Sequence, residues 1–429
     1  MKKILFLALF AILSCYDVCA EEGQTVVEPL GEGWVLIGEL DSNNCLSVYL
    51  GVKEGYSRES ITGTITFPES IKDYKVTSIK SFWAPNVTEF IIPKTVTSIE
   101  DYAFGDCSKA TFDIQGPIEN IGSAAFYGCS SIKEMELKNV KNIGQGAFAY
   151  CTGLTSLTLG NEITTLPDNM LEGCSSLESF IIPESVKTIG IAAFGWTGIK
   201  EFNIPESVSS INDYAFRNTP ITTLNIPKSV TQIGYGIAAW SPNVTTITVD
   251  AANPTYESRN NAIVEKSTNK LIQGCKTTEI PESVTEIFAA SFTGMGIEEF
   301  VIPKTISKIG NYIFTFNDNL EKVISYIEEP FDVSEEAFCY SKEENEEPVF
   351  TSATLYVPVG TLQKYQAAKG WNKFSNIVEM ESTGINAINT VDASDAEWFS
   401  IDGKRLNAPQ KGLNIIREKG KVTRKIIIK

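Results

Sequence analysis

Residues Leu177 to Gly198 read LESFIIPESVKTIGIAAFGWTG, and after 22 residues the pattern begins again. Ile199 to Pro220 reads IKEFNIPESVSSINDYAFRNTP, and the stretch from Ile221 reads ITTLNIPKSVTQIGYG. A fixed period of roughly 20 to 30 residues marks a solenoid, because each unit is one coil, too small to bury its own apolar face, and must stack on neighbours that bury it.

The apolar positions show how one coil closes. Leu177, Phe180 and Ile182 fall at spacings of three and two, and the step of two puts Phe180 and Ile182 on one face of a short strand. Pro183 has no amide hydrogen for a ladder and ends that strand. Val186 and Ile189 point inward across the next side, Gly190 permits a turn, and Ala193 with Phe194 fills the third side. Each coil hides about six apolar side chains at roughly 1.5 to 3 kcal/mol apiece, set against the entropy of ordering some twenty residues. One coil alone would not be stable; a stack would be.

The inward aliphatic recurs at Ile99, Ile121, Ile143, Leu166, Ile189, Ile211, Ile233, Ile287 and Ile309, and the aromatic after it at Phe104, Phe126, Phe148, Phe194, Phe216, Phe292 and Phe314. The spacing predicts about ten coils, an arc on the order of 50 Å at roughly 4.8 Å per parallel strand. Around Phe112 and Ile114 the strand register is off by one. At Ala238 and Ala239 the phenylalanine is missing, just before the one long interruption, Trp240 to Lys276.

The signature L-x-x-L-x-I-P-x-S-V-x-x-I-G-x-x-A-F-x-x-C resembles the leucine-rich repeats of the BspA-like bacterial surface-protein family. Whole phrases recur: IPKTVTSIEDYAFGDC from Ile92, IIPESVKTIGIAAF from Ile181 and IPKTISKIGNYIF from Ile302. The resemblance spans roughly residues 76 to 380. It implies a right-handed leucine-rich-repeat solenoid with a parallel sheet on its concave side; with the capping segments and small C-terminal β module read from the flanks below, the fold class is β-rich α/β. It also implies adhesion to extracellular proteins or to other cells, and it implies no reaction.

In chain order, Lys2 and Lys3, the apolar run Ile4 to Leu13 and Val18-Cys19-Ala20 form a secretory signal peptide over residues 1–20, with cleavage after Ala20. The run is too short for a membrane span. A rival reading lipidates Cys15, since Ile12-Leu13-Ser14-Cys15 resembles a bacterial lipoprotein box; on either reading the protein is exported, and only lipidation would tie it to a membrane. Residues 21–75 lack the period and read as an N-terminal β cap over the open apolar end of the first coil. Repeats fill 76–325. The insert at 240–276 reads as a hairpin on the edge of a coil, from Ala262-Ile263-Val264 and Lys270-Leu271-Ile272, with a recognition loop as the alternative. Residues 326–380, with Tyr365, Trp371, Phe374 and Ile377, form a C-terminal cap. Residues 381–397 are a linker, and 398–429 a basic β tail similar to, though shorter than, type IX sorting domains.

Composition narrows the function. Histidine is absent, which removes the commonest general base and metal ligand, and the formal charge of −17 argues against nucleic acid as a partner. The last thirty-two residues hold nine Lys and Arg against Asp402 and Glu418, so the body between the termini carries about −25. No serine or cysteine triad, phosphate loop or H-E-x-x-H motif is present, and the acidic residues read as solvated surface; the chain reads as a non-enzyme without cofactor or bound metal. Cys107, Cys129, Cys151 and Cys174 share one repeat position and read as a buried ladder. Disulfides between rungs suit the bond geometry poorly and zinc needs converging ligands.

The residues between the buried ones on each strand face outward on the concave side: Glu134 and Glu136, Ser156 and Thr158, Ser179 and Ile181, Glu201 and Asn203, and Thr223 and Asn225. The face is polar and mildly acidic with no aromatic platform for a sugar. It suits an extracellular protein partner with basic side chains; a self-associating structural surface protein is the alternative.

Overall fold

The computed structural model describes residues 25–31, 33–340, 349–350, 352–380, 396–400, 404–406, 412–418 and 424–428. The expected signal peptide with Cys15, the acidic run at 341–348 and most of the expected linker lie outside the described residues.

Successive turns of the chain stack into a solenoid whose three sides are each held differently. The first side is the longer parallel ladder. Gly63–Thr66, Val87–Ile92 and Thr111–Ile114 pair in parallel, as do Glu134–Leu137 with Ser156–Leu159 and Thr223–Ile226 with Thr246–Val249. Glu299–Ile302, Lys322–Ser325, Thr354–Val357 and Ile377–Glu379 complete it. The second side is a run of two-residue rungs that repeats the same pairing coil after coil, Ser98↔Asn120↔Asn142 and Thr188↔Ser210↔Gln232 among them. The third side has no strands. There the chain bends, and each bend donates backbone hydrogen bonds to the next, as in Tyr102 N to Ser123 O, 2.8 Å, and Phe104 N to Ala125 O, 2.8 Å.

The stack runs to about fourteen turns rather than ten. The long ladder takes in Gly63–Thr66 ahead of the first good repeat, and Thr354–Val357 and Ile377–Glu379 beyond the last one. Pairing survives there because the backbone and an inward aliphatic suffice for a rung, even where the loops between rungs no longer resemble the repeat. At the amino end, Thr25–Gly31, Trp34–Leu40 and Cys45–Val52 form an antiparallel meander. Its last strand pairs in parallel with Tyr74–Ile79, which opens the two-residue ladder, and Leu36, Leu46, Val48 and Leu50 are buried beneath it.

All seven repeat phenylalanines are buried, and their rings form a column through the core, with centroids 5.7 Å apart for Phe104 and Phe126 and 5.3 Å for Phe126 and Phe148. Seven of the nine inward aliphatics are buried as well; Ile143 and Ile233 are only half-buried. Four local differences stand out. Phe112 is in register after all, opposite Phe90, because the one-residue offset is taken up in the preceding bend; the cost is that the long ladder breaks between Thr111–Ile114 and Glu134–Leu137. Residues 179–182 and 201–204 alternate outward and inward as expected, with Phe180, Ile182, Phe202 and Ile204 buried, yet they form no ladder strand.

The insert is the third difference. It is an antiparallel meander of Tyr256–Arg259, Ala262–Glu265 and Lys270–Gln273, built into the stack rather than set on its edge. Lys270–Gln273 pairs in parallel with Glu286–Ile287 and so supplies the rung of the second side, while Ile263, Val264 and Leu271 enter the core. A continuous run of apolar residues on a hairpin strand has no solvated face and has to be enclosed. The bend side closes past most of the insert: Trp240 N donates directly to Thr293 O, 2.9 Å away, while Gly274 N at the insert's end donates to Ser291 O, 3.0 Å away. Where the phenylalanine is missing, Ala238 N donates to the side chain of fully buried Gln273, 3.3 Å away, which in turn donates to Ser291 O at 2.7 Å, and Gly274 leaves space for the ring of Phe292, the aromatic of the following repeat.

The cysteine ladder is the fourth. Cys107, Cys129, Cys151 and Cys174 are free and buried, and the thiols of Cys129, Cys151 and Cys174 each donate to the carbonyl of the phenylalanine one coil back, at 3.1 Å. Burial pushes the Cys107 thiol up to about 11 and that of Cys151 up to about 12, with Cys129 and Cys174 also well above the ordinary value. Thr197, Thr219, Ser241 and Asn317 take the same slot on later coils; Ser241 and Asn317 likewise donate to the phenylalanine carbonyl one coil back, whereas Thr197 and Thr219 donate to that of their own coil. The corner therefore calls for a small hydrogen-bond donor, of which the thiol is one kind.

Past the repeats, the helix Leu362–Ala367 brings Tyr365 against Trp371, with centroids 5.2 Å apart, and Phe338 stacks on both Phe314 and Trp371. The tail forms a four-stranded antiparallel sheet in the order Arg405–Leu406, Ala396–Phe399, Gly412–Glu418, Arg424–Ile428. Among the described residues no helix is long and apolar enough to cross a membrane.

Candidate functional site

The ten residues assigned to the strand face all reach solvent. Nine are exposed and Thr223 is half-buried; Ile181, 89 % exposed, is the one large apolar side chain among them. The parallel register puts Glu134 beside Ser156, Glu136 beside Thr158, and Thr223 and Asn225 beside Thr246 and Thr248, so these positions line up in two paired segments, with the outward residues of the unpaired coils at 179–181 and 201–203 between them. Thr248 Oγ1 donates to Asn225 Oδ1 at 2.6 Å, and Lys138 pairs with Glu136, which reduces the acidity at that end. Further along, the same face turns apolar, through Val301, Ile324 and Val378, and it carries Tyr356, over whose ring Lys322 lies at 5.3 Å. The ring-free polar character thus belongs to the coils from Glu134 to Asn225 and not to the whole face.

The bend side carries what sequence reasoning missed. Each bend contains two residues with left-handed backbone, such as Tyr102 and Asp106 (φ 54° and 59°), Gly146 and Tyr150 (61° and 60°), and Ala192 and Trp196 (49° and 60°). Glycine and asparagine suit these slots, and many coils use them. Seven coil positions instead hold a large aromatic: Tyr102, Tyr150, Trp196, Tyr214, Trp240, Tyr312 and Phe316. A bulky side chain in this region of backbone space is costly, on the order of 1–3 kcal/mol, and such strain gathers at functional sites. The clue was readable in the repeats, as aromatics in columns where neighbouring coils have glycine.

Several of these rings meet. Tyr127 lies edge-on to Tyr150 at 5.4 Å, Tyr214 contacts Tyr235 and Trp240, and Trp240 contacts Phe316 at 5.3 Å. Across the amino-terminal part of this face runs an open groove of about 740 Å³, walled by Trp83, Tyr102, Tyr127 and Tyr150 and holding Asp106 and Glu172. Tyr102 is 67 % exposed. Burial and the nearby Glu172 carboxylate push the Tyr150 phenol above its ordinary value, so it stays a hydrogen-bond donor at neutral pH. Glu172 itself is buried and held by Arg217 and Asn169. Among the described residues no three His, Cys, Asp or Glu side chains converge on a point that could hold a metal ion.

Six copies of the BspA type leucine rich repeat region match the chain, over residues 75–197, 166–261, 187–321 and 256–349. The chain belongs to the BspA-type leucine-rich-repeat family. Solved structures of leucine-rich repeat proteins are similar to the chain. A leucine rich cell surface protein from Faecalibacterium prausnitzii is 19 % identical, with 84 % of this chain and 95 % of that one covered at a TM-score of 0.53. A leucine-rich repeat protein from Bacteroides ovatus is 18 % identical (85 % and 100 % covered, TM-score 0.42), and the pneumococcal vaccine antigen PcpA 14 % (84 % and 100 % covered, TM-score 0.41). A comparison with curated proteins gives no match. At such identities the likeness concerns the BspA-type fold, and the residues on the two faces have to be read from this chain alone.

Proposed function

We propose that the protein is a surface-exposed binding protein that holds an extracellular protein along the strand face from Glu134 to Asn225. The observation that carries this reading is the run of solvent-facing side chains, polar apart from Ile181, on five consecutive coils of the stack. Surface exposure is supported by membership of the BspA-type family, by the cell-surface description of the F. prausnitzii structure, and by the signal-like sequence at 1–20. The role is non-catalytic: the site offers contact area and charge. A partner with basic side chains would gain from the carboxylates of Glu134 and Glu201 and would bind less well at high salt.

The test is a binding panel of purified extracellular-matrix proteins and mucins, run against the wild type and the triple variant Glu134→Lys, Glu136→Lys, Glu201→Lys. These side chains are exposed, so the core is untouched. The expected result is a salt-sensitive partner lost by the triple variant. A partner whose affinity is the same for both proteins overturns the placement. Light scattering over a concentration series covers the self-associating alternative, which predicts growth in size without any partner.

A further inference from the structure

We propose that the groove on the bend side is a second binding site, separate from the strand face, and that it takes an extended proline-rich peptide carrying a basic side chain. Three observations carry this. The first is composition: four aromatic walls, Trp83, Tyr102, Tyr127 and Tyr150, stand over Asp106 and Glu172, and no lysine or arginine lines the groove. Polyproline II segments dock between aromatic ridges, because the preformed helix loses little entropy and its carbonyls are free to accept from phenol and indole donors.

The second is shape. The groove runs from the coil of Trp83 to that of Glu172, four steps along the stack. At roughly 4.8 Å per step that is about 20 Å, the length of some six residues of polyproline II at about 3.1 Å each. Tyr127 and Tyr150 meet at 62°, which makes a notch between two rings rather than the flat open face a sugar would stack on.

The third is that the groove is built at a cost. Tyr102 and Tyr150 sit in left-handed slots, and the neighbouring coils make room for the groove's side chains. A Cβ on Gly173 would lie 2.6 Å from the Tyr150 ring, and one on Gly128 would lie 2.5 Å from the Asp106 carboxylate. The chain also shows the charge chemistry in cis two steps further on. There the Arg217 guanidinium lies over the Tyr214 ring at 5.9 Å while paired with Glu172. Asp106 beside Tyr102 and Tyr127 offers a partner's arginine the same combination of carboxylate and ring.

The experiment uses the full chain and a fluorescein-labelled peptide of consecutive prolines with an arginine at each end, read by anisotropy. Saturable binding is expected, weakened at least about tenfold by Tyr150→Gly and by Tyr127→Ala. Asp106→Asn should weaken the arginine peptide several-fold and leave an uncharged proline peptide unaffected. Tyr150→Gly relieves a left-handed residue, so its melting temperature should hold or rise while affinity falls, which separates lost contact from lost fold. The triple strand-face variant should bind the peptide like wild type. No saturation by about 1 mM peptide overturns the proposal. So does equal affinity in Tyr150→Gly, or a neutral linear β-glucan hexasaccharide that binds the groove in place of the peptide.

Discussion

Phe194 is fully buried, with Phe180, Phe202 and Phe216 within 6.0 Å centroid to centroid, so no water reaches it. Phe194→Asp would leave a carboxylate without a partner in that column and should cost at least about 4 kcal/mol, checked as a large drop in the midpoint of urea unfolding. An unchanged midpoint would contradict the inward placement. The cysteine ladder makes a second prediction. Iodoacetamide at pH 8 should label half-buried Cys45 in the native protein and spare Cys107, Cys129, Cys151 and Cys174 until the chain unfolds. Because burial raises these thiols above the value of 9.0 they have in the unfolded chain, their contribution to stability is complete below pH 9. It is lost as pH climbs through about 11 and about 12. Thermal stability should therefore stay level from pH 6 to 8 and fall above 9, less steeply when the ladder cysteines are replaced by threonine. Tyr214 and Tyr365, pushed up to about 12 by burial, act in the same direction above pH 10. The inward phenylalanines and the aligned cysteines were legible in the sequence, because burial repeats with the period. The thiol-to-carbonyl bonds were not, since the acceptor belongs to the backbone of another coil and leaves no mark on residue choice beyond smallness.

Among the elements, the insert departs most from a reading of sequence alone. Its turn residues and paired apolar runs identify a hairpin, but a hairpin read locally has no address. Whether Ile263, Val264 and Leu271 cover an edge or enter the core depends on which strand of the stack is vacant, and that vacancy is created by Ala238 and Ala239 some twenty-five residues earlier. Gly274 reports on this arrangement. Gly274→Ala would put a methyl group 2.1 Å from the Phe292 ring and should cost about 2 kcal/mol or more in thermal unfolding, whereas Gly105→Ala, outside the left-handed region and with its nearest neighbour 3.7 Å away, should cost far less. Equal effects at the two sites would mean that the insert does not seat against Phe292. The bend-side aromatics were likewise present in plain view. Periodicity reports only that a position recurs, and the left-handed backbone at these positions, which sets where the side chain goes, is not written in the repeat.

Across the whole molecule, each coil packs mainly on its two neighbours, with the Arg217–Glu172 pair reaching over one coil, so stability accumulates along the stack and depends on closed ends. Removing residues 326–429 would uncover Phe314, now stacked under Phe338, and Phe300 with it. The truncated protein should melt lower and associate through the open end, seen as a shift to larger species in size-exclusion chromatography. If it stayed monomeric at the wild-type melting temperature, the segment after residue 326 would not be closing the stack. Export is tested by the mass of the mature amino terminus in the native host: a start at Glu21 indicates plain secretion, a lipid on Cys15 indicates anchoring, and an intact Met1 rules out both. The backbone bond from Trp240 to Thr293 has a mechanical side. Coils joined by a few bonds apiece and loaded from the two ends come apart like a zipper, one turn per rupture, each paying out about 22 residues or roughly 75 Å of thread. Between residues 240 and 293 a single release would free more than twice that length. Pulled from its two ends, the protein would lengthen in small even strokes with one long stroke among them, and a force-extension trace should show that unequal step.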